Sequence, residues 1–324
     1  MSGEALRALS ETALALAAAV FVTSLLLLLL GYDPVSSLAV MFTYGLGNVE
    51  YVAAVAAPLV LSALAFLIPL RAGLFNIGGE GQAYLGALSF LYFSQQFGAL
   101  GLLAGGLMGA LLGGTLGALR AFLGVNEVIA SIMTNWTLYY VTLFLVSRHL
   151  THPEFPHRSI DVGFFLGSWT SFLLALALAL LALVLLYNTL LGYEIRVLGS
   201  SRRAAAYAGI DVRRVTVLSM SIGGLFGGTA GALKVMYVGH LDTTMSALFG
   251  VGFLGIGVAL IGKSHPIGAV LSAAFLASMI IGGHWVELRL GTPPELTDVI
   301  VGVMVLVLSA PYALKLLQRG GRLG

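Results

Sequence analysis

An all-α, polytopic membrane helix bundle is the fold class this sequence predicts, and three observations predict it. Of 324 residues, 59% are hydrophobic and only 9% charged, whereas soluble domains carry roughly 25% charged residues. Mean hydropathy is +0.99. The apolar residues also fall in runs of about 20, the helical length that crosses ~30 Å of hydrocarbon. A soluble globule is therefore excluded. The formal charge of +2 is too small to imply nucleic acid, and with no cysteine there is neither a disulfide nor a thiolate metal site.

Ten runs read as spans: 13–31, 51–70, 74–95, 98–122, 125–146, 167–188, 215–238, 247–261, 266–283 and 296–316. Arg7 ahead of the first run imitates a signal peptide. The run exceeds the usual 7–15 residues and lacks a small-x-small cleavage site, so it reads as a retained span. The third and eighth runs are glycine-rich and are expected to be partly unwound. The fourth carries Gly101, Gly105, Gly109, Gly113 and Gly117 at strict four-residue spacing. The seventh repeats the device with Gly223, Gly227 and Gly231 beside Gly224 and Gly228. Such nearly side-chain-free faces let a second helix backbone approach closely, so both read as packing seams. The chain 1–324 reads as one membrane domain.

Ten spans place both termini on one side, and basic residues choose which. With the termini inside, the inner ends hold Arg7, Arg71, Arg120, Arg196, Arg202, Arg203, Arg213, Arg214, Lys263, Lys315, Arg319 and Arg322. The outer side holds Arg148, Arg158, Lys234 and Arg289. Twelve against four fits the positive-inside rule, so both termini are expected to be cytoplasmic.

The longest outer connection runs through His149-Leu-Thr-His-Pro-Glu-Phe-Pro-His-Arg158, and its two prolines suggest an extended or turned segment. The longest inner connection spans 191–214. There Ser200 or Ser201 can cap a short helix over 202–208, which Gly209 would end. A stiff polar helix projecting from a membrane domain suits a cytoplasmic partner. An ordinary loop held by positive-inside charge fits the same residues.

Two motif matches are rejected. Gly257-Val-Ala-Leu-Ile-Gly-Lys-Ser264 fits the phosphate-loop pattern, but that chemistry needs a preceding strand, a following helix and solvated amides. Here Val-Ala-Leu-Ile ends an apolar span and Pro266 follows, so Lys263 reads as an inner-boundary anchor. Gly250-Val-Gly-Phe-Leu-Gly255 matches a dinucleotide fingerprint without its βαβ setting. The six histidines form no HExxH, and no catalytic grouping is found.

Polar residues within the spans are the candidate site. Arg71-Ala-Gly-Leu-Phe-Asn-Ile-Gly-Gly-Glu-Gly-Gln82 sets Asn76, Glu80 and Gln82 among four glycines between apolar runs. Such groups are costly near hydrocarbon and are kept where they face protein or a water-filled path. A broken helix at that depth is tolerated where it lines a cavity. The fifth span opens with Asn126 and Glu127 and continues to Ser131, Thr134 and Asn135, which share one helical face with Glu127. This stripe either lines a path for a polar solute or hydrogen-bonds neighbouring helices. No basic residue lies mid-span, which favours a neutral solute over an anion.

Three segments together resemble one family. Gly73-Leu-Phe-Asn-Ile-Gly-Gly-Glu-Gly-Gln82, Asn126-Glu-Val-Ile-Ala-Ser-Ile-Met-Thr-Asn135, and Gly192-Tyr-Glu-Ile-Arg-Val-Leu-Gly199 with Ala205-Ala-Tyr-Ala-Gly-Ile210 are similar to the permease subunits of bacterial ABC importers. The branch is that of the ribose and branched-chain amino-acid permeases, and within it the nucleoside type. Relatives often carry Tyr where this chain has Trp136.

The resemblance implies a non-enzymatic subunit of a bacterial or archaeal cytoplasmic membrane. It implies pairing with a second permease, identical or not, two cytoplasmic ATPases and an external solute-binding protein. ATP and Mg would be held by the ATPase, and no cofactor by this chain. The substrate pathway would draw on Asn76, Glu80, Gln82, Asn126, Glu127, Ser131 and Asn135. The segment 192–214 would dock on the ATPase, through Glu194, Arg196, Ser200, Arg202, Arg203 and Tyr207. The solute would be a nucleoside, with simple sugars behind. An ion-coupled secondary transporter, with Glu80 or Glu127 carrying a proton, is the alternative; an intramembrane enzyme or passive channel has no supporting residues.

Overall fold

The structure, a computed structural model, describes residues 3–242 and 250–320. The start of the eighth expected span, residues 247–249, and Arg322 lie outside the described residues. The described chain is helical, with two isolated bridges and no strand. It divides into two compact units, Met1–Val52 with Ala274–Gly324, and Ala53–Ala273.

The first unit contains α1 (Gly3–Leu29), α2 (Pro34–Gly47), the C-terminal part of α12 (Pro266–Leu290) and α13 (Pro294–Gly320). α2 was not expected. At 14 residues it is about 21 Å long, too short to cross the hydrocarbon core, so no 20-residue run marks it. Its start is nonetheless written locally: the Asp33 carboxylate accepts from the Val35 and Ser36 amides at 3.2 and 3.0 Å, and Pro34 fills the first helical position. α2 crosses α12 on glycines. A Cβ at Gly45 would strike the Ser278 carbonyl, and one at Gly282 the Met41 carbonyl. Tyr44 stacks on Trp285 at 4.8 Å, with the Arg289 guanidinium 4.8 Å from the Tyr44 ring centroid.

The second unit is built around α3 (Val49–Arg71), whose residues from Ala53 to Pro69 are buried. Around it lie α4 (Gly79–Phe97), α5 (Leu100–Leu123), α6 (Glu127–His149), α7 (Ser168–Asn188), α8 (Leu190–Ser200), α9 (Arg202–Tyr207), α10 (Val212–Val238) and α11 (Val251–Ile261). The glycine patterns of α5 and α10 prove to be two seams on adjacent faces of α10. Gly109 and Gly113 of α5 meet Gly224, Gly228 and Met220, with no room for a Cβ. Gly223, Gly227 and Gly231 turn instead to Ala65, Gln82 and Ala83. Removing Cβ atoms lets backbones touch, which gains dispersion contacts that lipid would otherwise supply.

Six described helices are long and apolar enough to cross a membrane: α3, α5, α6, α7, α10 and α12. Each expected span contains a helix, and the two glycine-rich runs are shortened. α4 begins only at Gly79, so residues 74–78 are non-helical, and α11 has 11 helical residues. The connection 191–214 is more ordered than a loop. α8 occupies Leu190–Ser200, the Ser201 hydroxyl accepts from the Ala204 amide to cap α9, and Gly209 takes φ +77° beyond it.

Candidate functional site

After Arg71 the chain turns and runs back along α3. The Asn76 side chain donates to the Ala65 carbonyl at 3.0 Å, accepts from the Gly78 amide at 3.1 Å and meets Gln82 at 3.4 Å. Ala65 lies six residues before Arg71, about 9 Å along the helix. The polar segment therefore re-enters the bundle rather than staying at the end of α3. Gly78 and Gly81 let α6 close over it: the Asn135 side chain accepts from the Gly81 amide at 2.8 Å and donates to the Ile77 carbonyl at 3.0 Å. Residues 77–81 lack the full intrahelical pairing, and Asn76 and Asn135 supply part of what is missing.

Glu80 has a different partner. Its carboxylate oxygens accept from the Gly250 and Gly252 amides at 2.7 and 2.6 Å, at the start of α11. Helix starts present unpaired N–H groups and favour negative charge, so a carboxylate there is stabilised by both effects. Gly250 takes φ +95°, which turns the chain into α11, and Gly252 has its Cα against Glu80 with no space for a Cβ. The Ser62 hydroxyl donates to the Val251 carbonyl at 2.9 Å, fixing the same helix start to α3. The face around Gly250-Val-Gly252 thus carries out a task that the sequence pattern showed only as span packing.

The expected pathway residues divide into two groups. Asn76, Glu80, Gln82, Ser131 and Asn135 are buried together. Asn126 and Glu127 are not part of that cluster. Asn126 caps α6 through the Val128 and Ile129 amides, and Glu127 pairs with Arg120 at 3.1 Å. The Ser131 hydroxyl, fully buried, has no hydrogen-bond partner and lies beside Gly78. A cavity of about 30 Å³, room for a water molecule, is lined by Glu80, Tyr84, Ile132, Asn135, Trp136, Tyr139 and Phe253. Tyr84 and Tyr139 are not singled out by the sequence, and Trp136 only as a departure from relatives. Trp136 and Tyr139 carry an aromatic spacing that a lipid-facing helix shares, and Tyr84 carries no such mark.

After α7, α8 and α9 present a mixed face. Arg202, Arg203 and Tyr207 are exposed, Tyr207 by 91%, while Ala205 is buried. Ser200 is exposed, its hydroxyl returned to the Arg196 carbonyl. Glu194 is half-buried. Arg196 turns inward, its guanidinium 5.1 Å from the Tyr187 ring centroid. The phosphate-loop look-alike forms a helix end: the Ser264 amide bonds the Ala259 carbonyl and α12 begins at Pro266. Beside it, burial and then the Arg71 charge hold the His265 imidazole below its ordinary pKa.

The connection after α6 is tied down. The Ser159 amide donates to the Leu241 carbonyl at 2.7 Å, and the Gln95 side chain donates to the Asp161 carbonyl at 2.6 Å.

Residues 48–309 match the family described as "Branched-chain amino acid transport system / permease component". The guanosine ABC transporter permease protein NupP of Bacillus subtilis is 30% identical over 314 residues, covering 90% of each chain. The nucleoside ABC transporter permease protein NupB of Lactococcus lactis is 29% identical, covering 91% of this chain and 88% of its own. A glucose ABC transporter permease protein of Haloferax volcanii is 29% identical, covering 90% and 84%.

Proposed function

The chain belongs to the branched-chain amino acid transport system / permease component family, and on that footing we propose that it is the membrane-spanning subunit of an ABC importer for nucleosides. The observation that carries this reading is the pairing of two features in one compact unit. A re-entrant polar segment is buried among α3, α4, α6 and α11, and a short helix exposes Arg202, Arg203 and Tyr207 at the end of α8. The first suits a path for a polar neutral solute, and the second suits a grip for a motor outside the membrane. Nucleoside is the favoured solute because guanosine and nucleoside permeases recur among the relatives, at 29–31% identity. The glucose relative keeps a simple sugar as the competing solute.

In this reading the chain 1–324 is one permease domain of about ten spans with both termini cytoplasmic. Segment 192–214 docks on the ATPase. A second permease, identical or different, completes the path, and an external binding protein delivers solute to the connection at 149–163. ATP and Mg reside in the ATPase. The cycle is alternating access: nucleotide shifts the balance between two conformations, which takes about 5.5 kcal/mol to move from 1:99 to 99:1. The family's membership and the apolar helices make this a multi-pass membrane protein; the cytoplasmic membrane is where such a motor finds ATP.

Binding energy for the solute comes from side chains that the present arrangement spends internally. Asn76 and Asn135 hold backbone groups and Gln82 pairs with the Asn76 side chain, and each can exchange such a bond for one to a ribose hydroxyl at little net cost. The experiment is uptake of labelled guanosine and labelled glucose by liposomes carrying this chain, its neighbouring ATPase and permease, and the binding protein. Guanosine accumulation that needs internal ATP supports the reading. Accumulation of glucose alone would replace the solute, and no ATP-dependent accumulation would remove the function.

A further inference from the structure

Arg71 enters the sequence reading only as an inner-boundary charge, yet its side chain and its backbone are both engaged. Its guanidinium donates from Nε and Nη2 to the Ser264 carbonyl at 2.9 and 2.5 Å, 193 residues away. That carbonyl sits in the turn ending α11, where Lys263 and Ser264 take φ 55° and 51°. Left-handed backbone costs a side-chain-bearing residue about 1–2 kcal/mol, so the turn persists because its surroundings hold it.

The Arg71 carbonyl, meanwhile, lies against Gly199 near the end of α8, so closely that a Cβ at Gly199 would collide with it. A second route joins the same parts. Arg196 of α8 stacks over Tyr187, and the Tyr187 ring lies 5.5 Å from the His265 ring. α8 therefore reaches the turn at the inner end of α11 twice, through Arg71 to Ser264 and through Tyr187 to His265.

At its other end α11 is held by Glu80. Eleven helical residues form a strut of about 16 Å tied at both ends to the 71–80 segment. A helix shifts as a unit because its backbone bonds are internal. Displacement of the Ser264 turn is then delivered to Gly250 and Gly252, beside the buried polar cluster.

We propose that Arg71 is a positioning residue of the transport cycle, passing movement of α8 and α9 through the Lys263–Ser264 turn to α11. The inference rests on the permease reading above. Two parallel N–H donors on one carbonyl fix the direction of the link as well as its length. A lysine can make one such bond without that orientation.

The test uses the complete importer with its binding protein in liposomes, comparing wild type with Arg71→Ala and Arg71→Lys. The readouts are solute taken up per ATP hydrolysed, and the distance between spin labels at Tyr207→Cys and Lys263→Cys in an otherwise cysteine-free chain. Uptake per ATP is expected to fall at least tenfold in Arg71→Ala and to be partly retained in Arg71→Lys. The label distance is expected to change with nucleotide in the wild-type background and to become insensitive to nucleotide in Arg71→Ala. Uptake per ATP within twofold of wild type, or an unaltered nucleotide-dependent distance change, would overturn the proposal. So would failure of both variants to assemble, which would make Arg71 a folding residue only. Wild-type uptake indifferent to ATP would instead refute the permease reading itself.

Discussion

The Glu80 carboxylate and the Gly252 amide, 172 residues apart, meet at 2.6 Å inside the second unit. With the Gly250 amide at 2.7 Å, two donors at the start of α11 share one buried carboxylate. Glu80→Gln keeps one acceptor oxygen but sets an NH₂ group against an N–H. A hydrogen bond to a charged group is worth about 1.5–3 kcal/mol, so Glu80→Gln is expected to lose about that much stability. Glu80→Ala should lose more, since it leaves both amides unpaired. Thermal unfolding of the purified chain in detergent, followed by tryptophan fluorescence, checks both. A Glu80→Gln midpoint equal to wild type would remove Glu80 as the cap of α11.

Gly109 and Gly302 separate packing from conformation. A Cβ at Gly109 would strike the Gly224 carbonyl across the α5–α10 seam, while nothing lies within 4 Å of a Cβ at Gly302 in α13. Gly109→Ala should destabilise by about 1–3 kcal/mol through overpacking. Gly302→Ala should be neutral or stabilising by up to about 1 kcal/mol, the usual helix preference of Ala over Gly. Yields of monodisperse protein after size exclusion, with unfolding midpoints, rank the pair. Equal behaviour of the two would contradict the seam.

The turn closing α11 offers a gain. Lys263→Gly or Ser264→Gly removes a left-handed side-chain penalty of about 1–2 kcal/mol and adds roughly 0.5–1 kcal/mol of unfolded-state entropy cost. Each variant should be stabilised by up to about 1.5 kcal/mol, read as a raised unfolding midpoint. A lowered midpoint would mean that the Lys263 or Ser264 side chain holds the turn.

Arg202 and Arg203 project from α9 into solvent. Replacing both by Glu reverses two charges without touching a buried contact. Membrane insertion should therefore persist, and uptake with solute-stimulated ATP hydrolysis should fall more than tenfold in the reconstituted importer. Normal uptake by the double variant would free α9 of any role in coupling.

Much of this was legible in the sequence, for identifiable reasons. Helix positions follow from apolar runs because the bilayer sets one length for all of them. The α9 helix follows from Ser201 and Gly209, whose side chains and backbone freedom act on near neighbours. α2 escaped because it is shorter than a span, and its signal, Asp33-Pro34, is only a cap. The glycine spacing of α5 showed that a backbone approaches, but not that α10 offers Gly224 and Gly228 to one partner and Gly227 and Gly231 to another. The polar cluster was visible as a list of residues and not as a set of pairs. Glu80 with Gly252, and Arg71 with Ser264, join positions more than 170 residues apart, and no local pattern encodes such a partnership. Glu127 matches the stripe by helical phase and Asn126 opens the same span, yet at the start of α6 Asn126 is engaged as a cap and Glu127 in an ion pair with the Arg120 guanidinium.

One measurement addresses the energy source directly: initial uptake of labelled guanosine into liposomes, with this chain alone under an imposed proton or sodium gradient and with the full importer under ATP. A subunit driven by a separate ATPase predicts uptake only in the second set, abolished by a non-hydrolysable ATP analogue and unaffected by ionophore. Gradient-driven uptake by the lone chain, lost on adding ionophore, would contradict it and make Glu80 or Glu127 a proton carrier.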